Sequence, residues 1–536
     1  MKKTQFFKKA VALTAAGLLA IGPVQGVLAA EGFSEVISGQ LDDKAADLTT
    51  QYNTYMDSLE QAAKGAVADW TVSLGETGKM LAGMFLPATS GAQIDLNWFN
   101  DLKIHQEQAI TEDQMTANFQ FSLNDTPFAN LNSAMDIPSM KMYMAVPELF
   151  SDYVVVDMNK AMEETAQDTS GITVSTNVDP AFWSTFIKIF VNAKEYLPDG
   201  ETFSAVINRY MHMFFDRFQD TGSAEQTITA GGIAQDFTVY TGEISNADAI
   251  AAVIDILTAA KDDEDIKGII ENISTTLPEG TDLYTQFQSG IDSALADMNP
   301  DEADGSVMTA ALSVDAEGEV KGTAVSIDGA PIVDFQQTAD GDSRGLYCKM
   351  FTDNAEVLSL EGAGEVQDDL LNGTYAVSIT SDGEPMNLDV IVENYKYDEN
   401  TFAGQGTYTI SMAAPAEDSE SDSGMASMFS QFGIQYGFET AENAQGGKFD
   451  LAVVMAGSPV LSIAMETQAG EGPAAVDISG LKAYDITNDA DMQSFMATLD
   501  IGGFLNNLVN AGVPEELINS VLGIEGSDTA EETPAA

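Results

Sequence analysis

One Gly-x-Ser-x-Gly occurs in the chain, Gly341-Asp342-Ser343-Arg344-Gly345. In acyl-transfer enzymes that spacing puts a nucleophilic serine on a sharp strand-to-helix turn, with a histidine later in the chain. Here Leu346 to Phe351 alternates as a second strand, and His105 and His212 both precede the motif. The motif therefore reads as a hairpin turn. Cys348 lies inside the same alternating run with no histidine near it in sequence to activate it, so it reads as a small strand side chain. His105 falls on the exposed side of the alternating Leu102-Lys103-Ile104-His105-Gln106. His212 lies opposite the apolar stripe of a helix, four residues before Asp216. Two histidines and one cysteine exclude a three-histidine or multi-cysteine metal centre. No phosphate-cradling Gly-x4-Gly-Lys-Ser/Thr and no His-Glu-x-x-His occurs. Glycoside hydrolysis needs two carboxylates at a set separation, and among 84 acids such a pair arises by chance. Trp70, Trp98 and Trp183 sit among apolar neighbours rather than as sugar platforms. Asp263, Asp265 and Gly268 come nearest to a calcium loop, but Lys267 and Ser274 stand at ligand positions. No catalytic residue, cofactor or metal ligand is assigned, and divalent cations are expected to associate only non-specifically.

The charge balance excludes more. The chain has 22 Lys and Arg against 84 Asp and Glu, a formal charge of −62. Without Lys2, Lys3, Lys8 and Lys9 the balance is 18 basic against 84 acidic residues, or −66. Nucleic acid and anionic lipid are both held by Lys and Arg neutralising phosphate, so neither is an expected partner. A hydrophobic content of 44% is too apolar for a disordered chain.

Residues 181–218 depart from that pattern. They carry four basic and four acidic residues and ten of the chain's aromatics, Phe182, Trp183, Phe186, Phe190, Tyr196, Phe203, Tyr210, Phe214, Phe215 and Phe218. The spacing predicts two amphipathic helices split at Leu197-Pro198-Asp199-Gly200. Such a hairpin either plugs a sheet permanently or covers a site for an apolar ligand or partner. Trp183, Phe186, Phe190, Phe203, Tyr210, Phe214 and Phe218 are the candidate surface, and Met140, Met142, Met144, Met211 and Met213 a candidate adaptable lining.

The elements that must position these residues are legible from periodicity. Leu41, Leu48, Tyr52, Tyr55, Leu59 and Ala63 make one helical stripe within 34–66. From Ile94 to Met158 the pattern has period two, and helices are expected over 247–273 and 283–298, with Ser245 and Asp282 as caps. Residues 303–413 read as an antiparallel meander. Four hairpins repeat a polar turn and then proline, at Asn124 to Pro127, Asp328 to Pro331, Ser381 to Pro385 and Ala456 to Pro459. The expected fold is α+β, with curved antiparallel sheets built from meander hairpins, amphipathic helices on one face, and two halves around 31–300 and 301–524. The expected segments are a signal peptide at 1–30, an α+β domain at 31–300 containing the hairpin 181–218, and a meander at 301–414. An acidic Ser-rich linker at 415–430, strands and C-terminal helices at 431–524, and a disordered tail at 525–536 complete the division.

Residues 1–30 combine four lysines, an apolar core from Ala10 to Ile21 and small residues at 27–30, the pattern of a secretory signal peptide. No later stretch is long and apolar enough to predict a spanning helix. Phe119 to Leu131, Met142-Tyr143-Met144-Ala145-Val146-Pro147-Glu148-Leu149 and Tyr153-Val154-Val155-Val156-Asp157 resemble exported proteins of Gram-positive gut bacteria with no assigned function. The arrangement also resembles lipoprotein-carrier (LolA-like) proteins, which implies a curved open sheet with helices over a concave apolar face. The expected function is a secreted, non-enzymatic binding or interaction protein of a bacterial envelope or exterior, whose ligand is a hydrophobic small molecule or a protein surface. The alternatives are a carrier of lipid or another small hydrophobic molecule, and a carboxylate-based hydrolase of the glycosidase type. Mass spectrometry of the culture supernatant is expected to find a mature N-terminus near Ala30 or Glu31; an intact Met1 form confined to the cytoplasm would refute export.

Overall fold

The stripe from Leu41 to Ala63 belongs to a 32-residue helix, α1 (Phe33–Lys64). The structure, a computed structural model, describes residues 32–85, 95–159, 180–277, 280–381, 383–413, 431–442 and 445–522. The expected signal peptide, the linker at 415–430 and the tail at 525–536 lie outside the described residues. After α1 come β1 (Ala66–Leu74), α2 (Glu76–Phe85) and the strands β2 (Asp101–Ile110), β3 (Gln114–Leu123), β4 (Thr126–Asp136), β5 (Lys141–Val146) and β6 (Phe150–Asp157). The aromatic segment forms α3 (Pro180–Val191), the single turn α4 (Ala193–Tyr196) and α5 (Gly200–Phe215). Next are β7 (Gln219–Ala230), β8 (Ile233–Ser245), α6 (Asn246–Lys261), α7 (Glu264–Ser274) and α8 (Leu283–Ala296). The meander runs through β9 (Val307–Val314), β10 (Val320–Ile327), β11 (Ala330–Asp340), β12 (Ser343–Thr352), β13 (Ala355–Gln367), β14 (Leu370–Ser381), β15 (Glu384–Tyr397) and β16 (Gly404–Met412). The chain then forms β17 (Phe432–Thr440), β18 (Gly446–Met455), β19 (Ser458–Ala469), β20 (Ala483–Asp485), α9 (Asp489–Met496), α10 (Ile501–Asn510) and α11 (Glu515–Leu522). The described residues are thus α+β, with a large, curved, mostly antiparallel sheet of twenty strands and eleven helices.

Helix starts follow the local chemistry. Ser245 Oγ accepts the Asp248 amide at 3.1 Å to open α6, and Asp282 accepts Thr285 N at 2.9 Å to open α8. The continuous helix expected over 247–273 is instead two, because Asp263 caps a new start by accepting the amides of Asp265 and Ile266. The hairpins also follow their turn residues. Asn124, Asp125, Asp328, Gly329, Gly383, Ala456 and Gly457 have φ between 48° and 84°. In three of the four proline hairpins the register slips just after the proline. Ser122 pairs with Pro127 but Phe121 with Ala129, Ser326 with Pro331 but Val325 with Val333, and Val454 with Pro459 but Val453 with Leu461. Phe128, Ile332 and Val460 are the extra residues, and such bulges bend a strand.

The chain divides into two compact units. The second comprises Gln61–Val191, Ile434–Tyr436 and the described residues from Gln445 onward. Its strands pair in the order β18, β19, β1, β2, β3, β4, β5, β6, β20, antiparallel except for β6 with β20. One face carries Trp70, Ile104, Phe121 and Met465 in one cross-strand row, while the next row, on the other face, carries Asp69, His105, Gln120 and Glu466.

The first unit comprises the described residues up to Glu60, Asn192–Gly433 and Gly437–Ala444 as far as described. Each strand from β7 to β16 pairs antiparallel with the next. The sheet curls until β11 meets the β7–β8 hairpin: Thr338 Oγ1 donates to the Ala230 carbonyl at 3.3 Å, and Ala339 N donates to Gln235 Oε1 at 2.7 Å. Gly345 permits that approach, since a Cβ there would stand 2.0 Å from the Ala230 oxygen. The core lies against β8 to β11. Phe33, Val36 and Ile37 of α1 pack with Phe215, Phe218, Ile244, Met308, Leu312, Val325 and Val333. The Phe33 and Phe218 rings are 5.3 Å apart and those of Phe215 and Phe218 5.7 Å. Asp220 secures the start of α1 by accepting Ser34 N and Ser34 Oγ, each at 2.8 Å. Phe215 is 1% exposed, whereas Phe186 is 50% exposed. Phe215→Ala is therefore expected to cost about 3–5 kcal/mol, and Phe186→Ala less than about 1 kcal/mol, in denaturant unfolding; equal losses would displace the core from this cluster.

Candidate apolar binding site

In the first unit α1 and α5 lie side by side. Ser204 Oγ donates to the Ala45 carbonyl at 2.6 Å, and Gly200 N to Asn53 Oδ1 at 3.2 Å. The Tyr52 and Phe203 rings stack with centroids 4.3 Å apart. Between the helices is a cavity of about 250 Å³, lined by Leu41, Lys44, Ala45, Leu48 and Gln51, by Ser204, Ile207, Asn208 and Met211, and by Glu399 from the β15–β16 loop. Leu41, Ala45 and Leu48 face it because they recur at helical spacing, as do Ser204, Ile207, Asn208 and Met211.

Leu41, Ala45, Leu48, Ile207 and Met211 are the apolar part of the lining, and Lys44, Gln51, Ser204, Asn208 and Glu399 the polar part. Of its lining residues only Lys44 and Glu399 are charged, and Lys44 Nζ lies 3.6 Å from Glu399 and 3.7 Å from Asp47. Asn208 Nδ2 donates to Asp42 Oδ1 at 3.1 Å, and His212 Nε2 approaches the same oxygen at 3.1 Å. Those two bonds, that from Asn208 foremost, hold the Asp42 carboxyl below its ordinary range. Asn208 Oδ1 is buried with no hydrogen-bond partner among the described residues.

Helix α5 is held from its other side by α7. Arg209 pairs with Asp263 and, at 2.8 Å, with Asp265; Tyr210 OH donates to Asp263 at 2.6 Å. Burial and Asp263 push the Tyr210 phenol up to about 12. Burial also raises Asp263, but bonds from Tyr210, the Ile266 amide, Arg209 and the Asp265 amide outweigh it and leave the carboxyl below its ordinary range.

The seven aromatic candidates are divided between the two units. Phe203, Tyr210, Phe214 and Phe218 belong to the first unit: Phe203 stacks on Tyr52, Tyr210 binds Asp263, and Phe214 and Phe218 join the core. Trp183, Phe186 and Phe190 belong to the second unit, where Trp183 and Phe186 are exposed and meet edge to face at 6.0 Å. None of the seven lines the cavity, and of the five candidate methionines only Met211 does. The signal that locates it is the apolar stripe of α1 with Ala45 in its middle.

A second apolar surface was not singled out from sequence. On one face of β11 to β16 the paired rows are Val333, Met350, Leu358, Ile379, Met386, then Phe335, Cys348, Leu360, Val377, Leu388, Met412, then Leu346, Gly362, Tyr375, Val390, Ile410. Its opposite face carries Tyr347, Glu361, Ala376, Asp389 and Ser411 in one row. Tyr375 is 7% exposed, but Met350, Met386 and Met412 are 42%, 43% and 45% exposed.

The remaining chemical candidates are dispersed. Ser343 opens β12 at a turn, as the alternation implies. Burial, then Asp334, pushes the Cys348 thiol up, away from the reactive thiolate. His105 Nδ1 lies 2.7 Å from Asp69, and that hydrogen bond raises the imidazole. His212 Nδ1 is 3.9 Å from Asp216, the acid four residues on. Among the described residues no group of three His, Cys, Asp or Glu could hold a metal ion, and no helix is long and apolar enough to cross a membrane. Comparison with known proteins adds no relative: no family model, no curated protein and no solved structure matches the chain.

The Asp263 pairing carries a pH signature. A carboxylate lowered by folding contributes stability above its unfolded pKa and loses it as pH falls through the folded value. Asp263→Asn is expected to lose about 1–3 kcal/mol at pH 7, the scale of hydrogen bonds to a charged group. The gap between wild type and variant should close below about pH 4, where carboxylates protonate; a gap constant from pH 7 to pH 3 would mean that the carboxylate charge is idle.

Proposed function

We propose that the protein is an exported, non-enzymatic binding protein whose ligand is a small amphipathic molecule, held between α1 and α5. One observation carries this reading: a cavity between α1 and α5 whose apolar side chains Leu41, Leu48, Ile207 and Met211 are joined by the side-chain amides of Gln51 and Asn208. Pockets of this make-up take an apolar body and fix its orientation with a few polar contacts. The ligand is thus an apolar group with one polar edge, such as an N–H, for the side-chain amides of Gln51 and Asn208 to meet. An apolar cavity of about 150 Å³ accepts benzene, so one of this size suits roughly ten non-hydrogen atoms. That size favours a compact molecule over the acyl chains carried by the LolA-like proteins that the sequence resembles. The charged pair Lys44 and Glu399 is mutually compensated and asks for no ionic ligand. Export rests on the lysine-rich start and small residues of 1–30.

Indole and indene test this pair of requirements, because they share a shape and only indole has an N–H. Calorimetric titration is expected to show tighter binding of indole, with the methyls of Ile207 and Met211 shifting in NMR spectra. Asn208→Leu should weaken indole by about fivefold, the scale of one hydrogen bond, and leave indene unweakened. Ile207→Trp should fill the cavity and abolish both without lowering the thermal midpoint, since Ile207 is 41% exposed. Unchanged binding to Ile207→Trp would remove this site, and displacement of indole by a long-chain fatty acid at equal concentration would favour the carrier reading.

A further inference from the structure

The half-open face of the meander is a different surface from the α1–α5 cavity, and it has a chemistry of its own. Met350 and Met386 stand in one cross-strand row with Leu358 and Ile379 between them, and Met412 ends the adjacent row beside Leu388. All three methionines and Ile410 are 38–45% exposed, which makes a contiguous apolar patch rather than isolated side chains. Methionine is unbranched and polarisable, and it moulds to partners of varied shape. The hairpins bordering the patch are acidic. Asp353 and Glu356 flank the β12–β13 turn, Glu384 opens β15, and Lys349 is paired with Glu356 at 3.7 Å.

Charge decides the occupant. A second copy of this chain would bring another −62 and an identical acidic border, so self-docking is opposed. Anionic lipid is repelled for the same reason. A partner with an apolar stripe and Lys or Arg on its flanks satisfies both the patch and its border. An amphipathic helix presents this arrangement at spacings of three, four and seven residues. We propose that the Met350–Met386–Met412 face docks a basic amphipathic helix of another protein.

The test uses the full mature chain and two synthetic twenty-residue amphipathic peptides of equal apolar stripe, one of Leu and Lys, the other of Leu and Glu. Methyl NMR with labelled methionine reads the site, and calorimetry reads affinity. The Leu/Lys peptide is expected to bind and shift the methyls of Met350, Met386 and Met412, while Met211 in the cavity stays still. Replacing all three by glutamine should weaken it about tenfold or more, as loss of a central apolar anchor does, with an unchanged thermal midpoint because the side chains are half exposed. Raising sodium chloride should weaken binding without abolishing it. Equal binding of the Leu/Lys peptide to the triple variant would overturn the proposal and reduce the attraction to bulk charge. Equal binding of the Leu/Glu peptide would overturn the charge argument, and tighter binding of phosphatidylcholine vesicles through the same methyls would overturn the choice of a helix. Failure of indole to bind leaves these readouts untouched, so the two sites stand or fall separately.

Discussion

The first unit depends on burial of three aromatic rings, Phe33, Phe215 and Phe218, against β8 to β11. Phe33 begins α1, while Phe215 and Phe218 end α5 and the turn beyond it. The cluster therefore ties the start of one helix to the end of the other. Each ring removes roughly 150–250 Å² from water, and their edge contacts add specificity of geometry. Gly242 lies under the Phe33 ring, where a Cβ would stand 2.4 Å from Cδ1, so the strand itself is shaped to receive it. With those ends anchored, the bodies of α1 and α5 must run side by side. The contacts Ser204 to Ala45 and Tyr52 to Phe203 then set their spacing. The cavity lies between them, lined from both helices and from Glu399.

The extreme acidity of the chain works through the few cations it has. Arg209 joins α5 to α7 through Asp263 and Asp265, Arg217 reaches Asp255 of α6, and Lys194 reaches Asp57 and Glu60 of α1. Exposed ion pairs contribute little each, but here they are where opposite charges converge between helices.

Much of the architecture was legible from local pattern. The alternation of Leu102 to Gln106 and of Leu346 to Phe351 marks real strands, and Ser245 and Asp282 cap the helices they precede. The polar turn followed by proline recurs because Asn, Asp and Gly accept positive φ and proline gives up a donor only at a strand end. The bulges at Phe128, Ile332 and Val460 were not read, although their position after the proline repeats. One helix break is also not legible in the local pattern. Asp263 was weighed as a calcium ligand inside a helix, and it instead caps a new one while receiving Tyr210 and Arg209 from 53 and 54 residues away.

By itself, the sequence determined the period of each element, the turn chemistry and the demand of residues 181–218 for apolar burial. These are properties of neighbouring residues, set by dihedral preference and side-chain spacing. Only the tertiary structure decided where that burial is met. Trp183 and Phe186 fall in one compact unit and Phe214, Phe215 and Phe218 in the other, although they are adjacent in a single aromatic run. A hydrophobic side chain records that it avoids water and carries no address for the surface that receives it. The cavity likewise gathers residues from 41–51, 204–211 and 399, and the exposure of Met350, Met386 and Met412 depends on what crosses their sheet face. Both are decided by contacts between segments far apart in the chain, which no local period encodes.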